Sequence, residues 1–195
     1  MNQSPFKDLK IILASNSPRR QEILAGIDVD FEVVVYPDID ESYPSDLPAL
    51  DVAEFIARKK SEPYLPLVGE RRVVLTADTV VIVDDDILGK PRTLDEARTM
   101  LRRLSGRSHI VVTGVTLASQ RGQRSFSVRT DVRFRSLTDA EIDYYVDHYR
   151  PLDKAGAYGI QEWVGYIGIE GISGSYYNVM GLPIQRIVAE LKAYI

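Results

Sequence analysis

The sequence contains no cysteine, only two histidines and a single tryptophan among its 195 residues. The absence of cysteine excludes disulfide bonds, zinc–thiolate sites and cysteine-based catalysis. Because neither histidine lies in the polar loops described below, a histidine-rich metal centre or a histidine-based hydrolase is not expected. No apolar run is long enough to cross a membrane, and the first residues lack the pattern of a signal peptide. We therefore expect a protein of the cytoplasm.

The chain is mildly acidic, with a net charge of -4, 27% charged residues and 45% hydrophobic residues. This composition is typical of a soluble globular protein. The acidic balance argues against a partner such as nucleic acid or an anionic membrane surface. No repeat, low-complexity linker or shift in composition marks a boundary, so residues 1–195 are predicted to form a single domain.

A carboxylate interrupts the most strand-like part of the sequence. Residues 73–83 are otherwise aliphatic, β-branched or small, as in a strand that crosses the middle of a sheet. Asp78 lies in the middle of this run, where its burial is costly unless a metal ion, a cationic partner or water compensates. The alternative is that Asp78 lies on the polar face of a half-exposed strand or at its end.

Two arginines begin the first predicted helix. The short apolar run 11–14 leads into a polar loop, and Ser17 and Pro18 suit the N-cap and the first helical position. Cations in the first turn oppose the helix dipole, so Arg19 and Arg20 are better explained by an anion bound at this end. The alternative is that both arginines are solvated or paired with distant carboxylates.

Lys90 is a third cationic candidate, because Gly89 and Pro91 fix the backbone around it and allow close approach. Three cations and the carboxylate of Asp78 suit a polyphosphate, in which cations hold the anion while a carboxylate binds a metal ion or activates water. The P-loop pattern is absent, and residues 171–174 miss the nucleophile-elbow pattern by one position. The residues alone predict a phosphate-handling enzyme and leave its dependence on a metal ion open.

Strand and helix signals alternate in the first part of the chain and hairpins follow, which predicts an α/β fold with a mixed sheet flanked by helices. The clearest hairpin joins residues 110–118 to residues 126–134. Capping-box patterns begin helices after Thr93 and Thr138. Glycine occurs at seven positions between residues 153 and 181, which implies tight turns or close backbone contact with a ligand.

Six motifs, in family order over nearly the whole chain, resemble the Maf family. They are Ser15-x-Ser17-Pro18-Arg19-Arg20-x-Glu22-Ile23-Leu24, Ala77-Asp78-Thr79-Val80-Val81, Gly89-Lys90-Pro91, Leu104-Ser105-Gly106-Arg107-x-His109, Asp153-Lys154-Ala155-Gly156-x-Tyr158-Gly159-Ile160-Gln161 and Gly174-Ser175-Tyr176-x-Asn178-Val179-x-Gly181-Leu182-Pro183. Each motif is modest alone, but the set is specific. The resemblance implies a fold like that of inosine triphosphate pyrophosphatase, with an elongated mixed sheet flanked by helices and two lobes around a nucleotide cleft.

The resemblance also implies a nucleoside triphosphate pyrophosphatase that uses Mg²⁺ or Mn²⁺ to cleave between the α and β phosphates. By position, Asp78 resembles the family's proton acceptor, and Glu41 and Asp78 resemble acidic residues near the metal. The positions expected to contact substrate are Ser15, Arg19, Arg20, Lys60, Thr79, Lys90 and Gln161. Among them Arg19, Thr79 and Gln161 match the specificity positions of the subfamily that prefers dTTP and UTP. An amide such as Gln161 suits this role, since it can donate to a pyrimidine carbonyl and accept from the ring N–H.

Several alternatives stay open at this point. One is a nucleotide-binding regulator of septum formation without turnover, and another is the related subfamily that prefers 7-methyl-GTP. Glu162 and Trp163 stand where many relatives have glycine after the glutamine. Trp163 could stack on a base or cap the cleft, or it could be a surface packing residue. Members of the family often form homodimers, and the sequence does not locate an interface.

Overall fold

The computed structural model describes residues 4–194. Its strands are β1 (Lys10–Leu13), β2 (Asp30–Val33), β3 (Arg72–Val83), β4 (Asp86–Leu88), β5 (Ser108–Ser119), β6 (Gly122–Phe134) and β7 (Ile169–Ser173). Its α-helices are α1 (Pro18–Ala25), α2 (Ala49–Ser61), α3 (Leu94–Leu104), α4 (Asp139–Tyr149), α5 (Trp163–Gly168), α6 (Tyr176–Val179) and α7 (Ile184–Leu191). None of the helices within these residues is both long and apolar enough to cross a membrane.

The strands form one mixed sheet in the order β2-β1-β3-β5-β6-β7, and β4 pairs with β3 outside this path. Strand β1 runs parallel to both β2 and β3. Strands β4 and β7 run antiparallel to β3 and β6. The mixed sheet with flanking helices confirms the predicted α/β class.

Residue contacts divide the chain into two compact units. Among the described residues, the first unit comprises the chain up to Asp78, residues 113–128 and the chain from Gly181 onward. The second unit comprises residues 79–112 and 129–180. Strands β3, β5 and β6 each contribute residues to both units. That residues 1–195 form a single domain stays a prediction.

Helix α2 packs closely against the sheet in the first unit. Its buried residues are Val52, Ala53, Ile56, Ala57 and Ser61. The Thr76 hydroxyl of β3 donates a hydrogen bond of 2.6 Å to the Ala57 carbonyl. At Gly114 of β5, a Cβ would lie 2.2 Å from the carbonyl carbon of Ala53, so only glycine permits this approach. The close packing positions the end of α2, which carries Lys59 and Lys60.

The strand predicted around Asp78 and the predicted hairpin are both confirmed. Strand β3 continues through the Asp84–Asp85 turn into β4, and both turn residues have positive φ, 51° and 67°. Positive φ at both central positions is typical of a tight type I′ hairpin, and aspartate tolerates it better than most residues. The β5–β6 hairpin has longer strands than predicted and is joined by Gln120 and Arg121.

One capping box is confirmed, and the other is only half formed. Before α4, the Thr138 side chain accepts from the Glu141 N–H while the Glu141 carboxylate accepts from the Thr138 N–H. Before α3, the Thr93 hydroxyl accepts from the Glu96 N–H at 3.1 Å. The Glu96 carboxylate accepts from the N–H of Arg92 at 2.7 Å, one residue before Thr93, so the second bond of the capping box is not formed.

Candidate active site

Asp78 and Glu41 share one lysine. The Asp78 side chain is 15% exposed, and its Oδ1 accepts a hydrogen bond of 2.7 Å from Lys60 Nζ. The same Nζ lies 2.8 Å from Glu41 Oε1. An ammonium group therefore joins two carboxylates in the first unit. Lys60 is the cationic partner that a carboxylate within a buried strand requires.

The loop that carries Glu41 is held by the neighbouring lysine. Lys59 Nζ contacts Asp40 Oδ2 at 2.6 Å and the Ser42 carbonyl at 2.9 Å. The hydrogen bond from Lys59 holds the pKa of the Asp40 carboxyl well below its usual range. Two adjacent lysines at the end of α2 thus bind two adjacent acids, Asp40 and Glu41. Lys59 was not among the site residues predicted from the sequence, in which the matching order of two lysines and two acids is its signal.

Arg20 connects several segments of the first unit. Its Nε donates to the Gly181 carbonyl at 2.8 Å, and its Nη1 donates to the Ala77 carbonyl at 2.9 Å. Nη1 also lies 3.3 Å from Ser15 Oγ. Desolvation lowers the pKa of Arg20, while the neighbouring negative charge of Asp78 opposes this effect. Arg20 therefore lies within electrostatic reach of Asp78 and holds the carbonyl of Ala77, the residue before Asp78.

The start of α1 is largely as predicted. The helix begins at Pro18 with Ser17 as its N-cap, but the Ser17 side chain makes no capping hydrogen bond. Instead Ser15 Oγ accepts from the Ser17 backbone N–H at 3.2 Å. Arg19 is half-buried in the first turn, which contains no acidic residue. The substrate contacts assigned to Ser15, Arg19 and Arg20 stay predictions.

The second unit contains Thr79, Lys90 and Gln161. Thr79 is half-buried in β3, and Lys90 is exposed after β4. The Gly156 N–H donates to the Gly89 carbonyl at 3.0 Å. The segment that leads to Gln161 is thereby connected to the turn that carries Lys90. The substrate contacts assigned to all three residues stay predictions.

The segment before Gln161 depends on glycine and on a buried aromatic pair. Gly156 has a φ of 69°, and a Cβ there would lie 3.0 Å from the Val81 side chain. The Tyr158 hydroxyl lies 2.7 Å from His109 Nε2. Burial lowers the pKa of His109 to about 4 and raises the pKa of Tyr158 above its ordinary value. The tight turns predicted for this glycine-rich segment are confirmed here by the positive φ of Gly156. The alternative, close backbone contact with a ligand, stays a prediction.

Gln161 has an acceptor without a partner. Its Oε1 is buried and accepts no hydrogen bond from the residues that the structure describes. A buried unpaired polar group costs roughly 1–3 kcal/mol, so each such group calls for an explanation such as a ligand or an ordered water. The N–H of a nucleotide base is one group that would donate the missing hydrogen bond to Gln161 Oε1.

Trp163 contacts helix α4. Its ring centroid lies 4.7 Å from that of Tyr144, which in turn stacks on His148 at 4.1 Å. This contact favours the packing interpretation of Trp163 over a role in base stacking. The neighbouring Glu162 contacts Tyr145 and Lys154, neither of which is among the site residues predicted from the sequence.

Glu41 and Asp78 fit a divalent cation. Both already present oxygens to a shared ammonium group, and hard cations prefer oxygen ligands. Within residues 4–194, no three His, Cys, Asp or Glu side chains gather as a metal centre. Mg²⁺ is commonly bound through one or two carboxylates together with substrate phosphates, and this pair suits that mode.

Comparison with known proteins identifies similar sequences along most of the chain. The family model described as Maf-like protein matches residues 10–194. A Bacteroides thetaiotaomicron protein named dTTP/UTP pyrophosphatase is 53% identical over 183 residues, covering 94% of this chain and 95% of that protein. A Parabacteroides distasonis protein of the same name is 51% identical over 189 residues, covering 97% and 98%.

A solved structure, that of the Staphylococcus aureus Ham1 protein, has a similar fold. The TM-score is 0.55 at 16% sequence identity, and the match covers 95% of this chain and 100% of that one. At this low identity the likeness concerns the fold alone.

Proposed function

The chain belongs to the Maf family, and we propose that it hydrolyses dTTP and UTP to the nucleoside monophosphate and pyrophosphate. The observation that carries the reaction class is the cluster of Asp78, Lys60 and Glu41, which combines a half-buried carboxylate with a cation and a second acid. The names of the relatives support the choice of substrate. Nucleoside triphosphates are found in the cytoplasm, so we propose that the protein acts there.

Asp78 accepts the proton of the attacking water. The water oxygen bonds to the α phosphorus, the bond between that phosphorus and the bridging oxygen breaks, and pyrophosphate leaves with the bridging oxygen. A carboxylate positioned as a general base contributes about 10²–10⁴-fold to such a step. An ammonium group has three N–H donors, and Asp78 and Glu41 take two of those on Lys60, which leaves one for a phosphate oxygen. Lys90 supplies a second positive charge for the phosphates.

Glu41 and Asp78 would hold Mg²⁺ or Mn²⁺. When bound, a divalent cation neutralises phosphate charge and makes a coordinated water more acidic. Lys59 orients Glu41 for this role through its contacts with Asp40 and Ser42.

Gln161 recognises the base, together with the specificity positions Arg19 and Thr79. Its unpartnered Oε1 accepts from the N3–H of uracil or thymine, and its NH₂ donates to a ring carbonyl. Cytosine carries no hydrogen on N3, so two acceptors would face each other. A site built to accept one hydrogen bond rejects a base that cannot donate it.

The experiment is a panel of UTP, dTTP, CTP and 7-methyl-GTP with Mg²⁺ or Mn²⁺, in which pyrophosphate release is measured. We expect UTP and dTTP to be hydrolysed fastest and CTP to be a poor substrate. Preference for 7-methyl-GTP would assign the chain to the related subfamily. Tight nucleotide binding without turnover of any compound would favour a regulatory role instead.

A further inference from the structure

Gln161 lies in a tight turn of the second unit. The Glu162 backbone N–H donates to the Gly159 carbonyl at 3.0 Å, which closes residues 159–162 into one turn. We call these four residues the Gln161 turn. The Gly165 N–H donates to the Glu162 carbonyl at 2.8 Å, so the turn leads directly into α5. The orientation of Gln161 therefore depends on what holds the two ends of this turn.

A hydroxyl from α4 contacts both ends. Tyr145 Oη accepts from the Gly159 N–H at 3.0 Å and donates to Glu162 Oε2. The Tyr145 side chain is fully buried. Burial, with a further contribution from the Glu162 carboxylate, raises the pKa of Tyr145 above its ordinary value, so the hydroxyl keeps the proton that it donates. The first and last residues of the Gln161 turn are thus fixed to the same atom.

The other oxygen of Glu162 is bound by a buried lysine. Lys154 Nζ lies 3.0 Å from Glu162 Oε1 and 2.7 Å from Asp153 Oδ1, and its side chain is only 8% exposed. A Cβ at Gly159 would lie 2.8 Å from Glu162 Cδ, so the carboxylate fits this place only beside glycine. Both Glu162 oxygens therefore have a partner within the protein, so the carboxylate is held from two sides.

We propose that Glu162, held by Tyr145 and Lys154, is a positioning residue that orients Gln161 toward uracil and thymine and thereby sets discrimination against cytosine. The inference rests on the proposed function. Its basis is that a buried, unpartnered Gln161 Oε1 lies in a turn whose ends are fixed by three hydrogen-bonded side chains. Binding groups discriminate well only when their own support holds them in the productive geometry.

A purely stabilising role predicts a different result. If the network only strengthened the fold, loosening it would lower the turnover of UTP and CTP in the same proportion. If the network orients Gln161, loosening it lowers mainly the turnover of UTP, whose N3–H the amide recognises. The ratio of kcat/KM for UTP to that for CTP separates the two roles, because it does not change with the fraction of folded enzyme.

The test compares Tyr145→Phe and Glu162→Gln with Tyr149→Phe as the matched control. Tyr149 lies on the same helix, stacks on the Tyr145 ring at 5.1 Å, is 40% exposed and lies outside the Gln161 turn. We expect Tyr145→Phe and Glu162→Gln each to lower the UTP-to-CTP ratio about tenfold, as for the loss of one buried hydrogen bond. Tyr149→Phe keeps the wild-type ratio. Calorimetric binding of UMP and CMP provides a second readout and should show the same loss of discrimination.

The outcomes distinguish this inference from the proposed function. A wild-type enzyme that prefers UTP, with Tyr145→Phe and Glu162→Gln variants that keep its ratio, overturns the positioning role and leaves the function intact. Equal losses for both nucleotides overturn it as well. A wild-type protein that releases pyrophosphate from no pyrimidine triphosphate overturns the proposed function, and the role of Glu162 falls with it.

Discussion

Asp78 is a carboxylate within a strand whose other residues are mostly buried and apolar. Such a group persists only when its charge is compensated, and Lys60 provides the compensation at 2.7 Å. Lys60 also contacts Glu41, so the compensation is shared between two acids. This arrangement keeps two acids and a cation together in the first unit.

Replacement of Asp78, the proposed proton acceptor, is the first prediction at the residue scale. Asp78→Asn should lower kcat for UTP about 10²–10⁴-fold, because an amide cannot take the proton of the attacking water. Its oxygen can still accept from Lys60, so we expect Tm to change little. Asp84→Asn, the same substitution in the turn after β3, is the control and should keep wild-type kcat. A normal rate for Asp78→Asn would exclude Asp78 as the base.

The second prediction concerns the replacement of Lys59. Lys59→Met removes the contacts to Asp40 and Ser42 and frees the loop that presents Glu41. We expect the Mn²⁺ concentration for half-maximal activity to rise about tenfold, in line with other groups that orient metal ligands. Calorimetric Mn²⁺ binding should weaken to the same extent. Lys10→Met, which breaks the exposed pair with Glu32, should leave both quantities unchanged.

At the element scale, helix α2 determines where both lysines lie. Its approach to β5 requires glycine at position 114, since a Cβ would meet the backbone of Ala53 and Glu54 at 2.2–2.3 Å. Gly114→Ala should therefore lower the free energy of unfolding by about 3 kcal/mol, because backbone cannot yield as a flexible side chain can.

The control for this substitution lies in β7. A methyl group added at Gly171 would have no other atom within 4 Å, so Gly171→Ala should be close to neutral. Urea unfolding of both variants measures the difference. Equal stability of the two variants would mean that α2 can shift away from β5 without cost.

Local signals in the sequence predicted several elements well. Strand β3, the start of α1 at Pro18 and the Thr138 capping box depend on neighbouring residues in the chain. Burial that depends on residues distant in the sequence was not predictable. Helical spacing places Leu50 on the same side of α2 as Ala53 and Ala57, yet Leu50 is 43% exposed, because the buried stripe of α2 begins at Val52.

The cluster of Asp78, Glu41 and Lys60 was easier to predict from the sequence than the contacts of Lys59 and Glu162. The family resemblance assigned Asp78, Glu41 and Lys60 by position, and the structure brings these three together. The partners of Lys59 and Glu162 come from segments distant in sequence or from a helix packed against them, so no local pattern indicates them. A side chain's partner is determined by packing, which a single sequence does not display.

At the scale of the whole molecule, a buried histidine makes stability depend on pH. Burial lowers the pKa of His109 to about 4 in the folded protein, from an ordinary value of 6.5. Between these values the unfolded chain binds a proton that the folded chain does not bind. Stability is therefore complete above about pH 6.5 and falls as the pH decreases toward 4, by up to about 3 kcal/mol.

Two histidine variants test this dependence. His109→Gln should flatten the decrease in unfolding free energy between about pH 6.5 and pH 4.5, since glutamine does not titrate. His148→Gln removes an exposed histidine and should keep the wild-type slope. Unfolding in urea at several pH values measures the slopes. Parallel curves for wild type and His109→Gln would show that His109 does not contribute.

The most direct test of the proposed hydrolysis identifies the products formed from UTP with Mg²⁺ or Mn²⁺ by ion-exchange chromatography. We expect UMP and pyrophosphate, because the bond that breaks joins the α and β phosphates. Formation of UDP and orthophosphate, or no hydrolysis of UTP and dTTP at all, would contradict it.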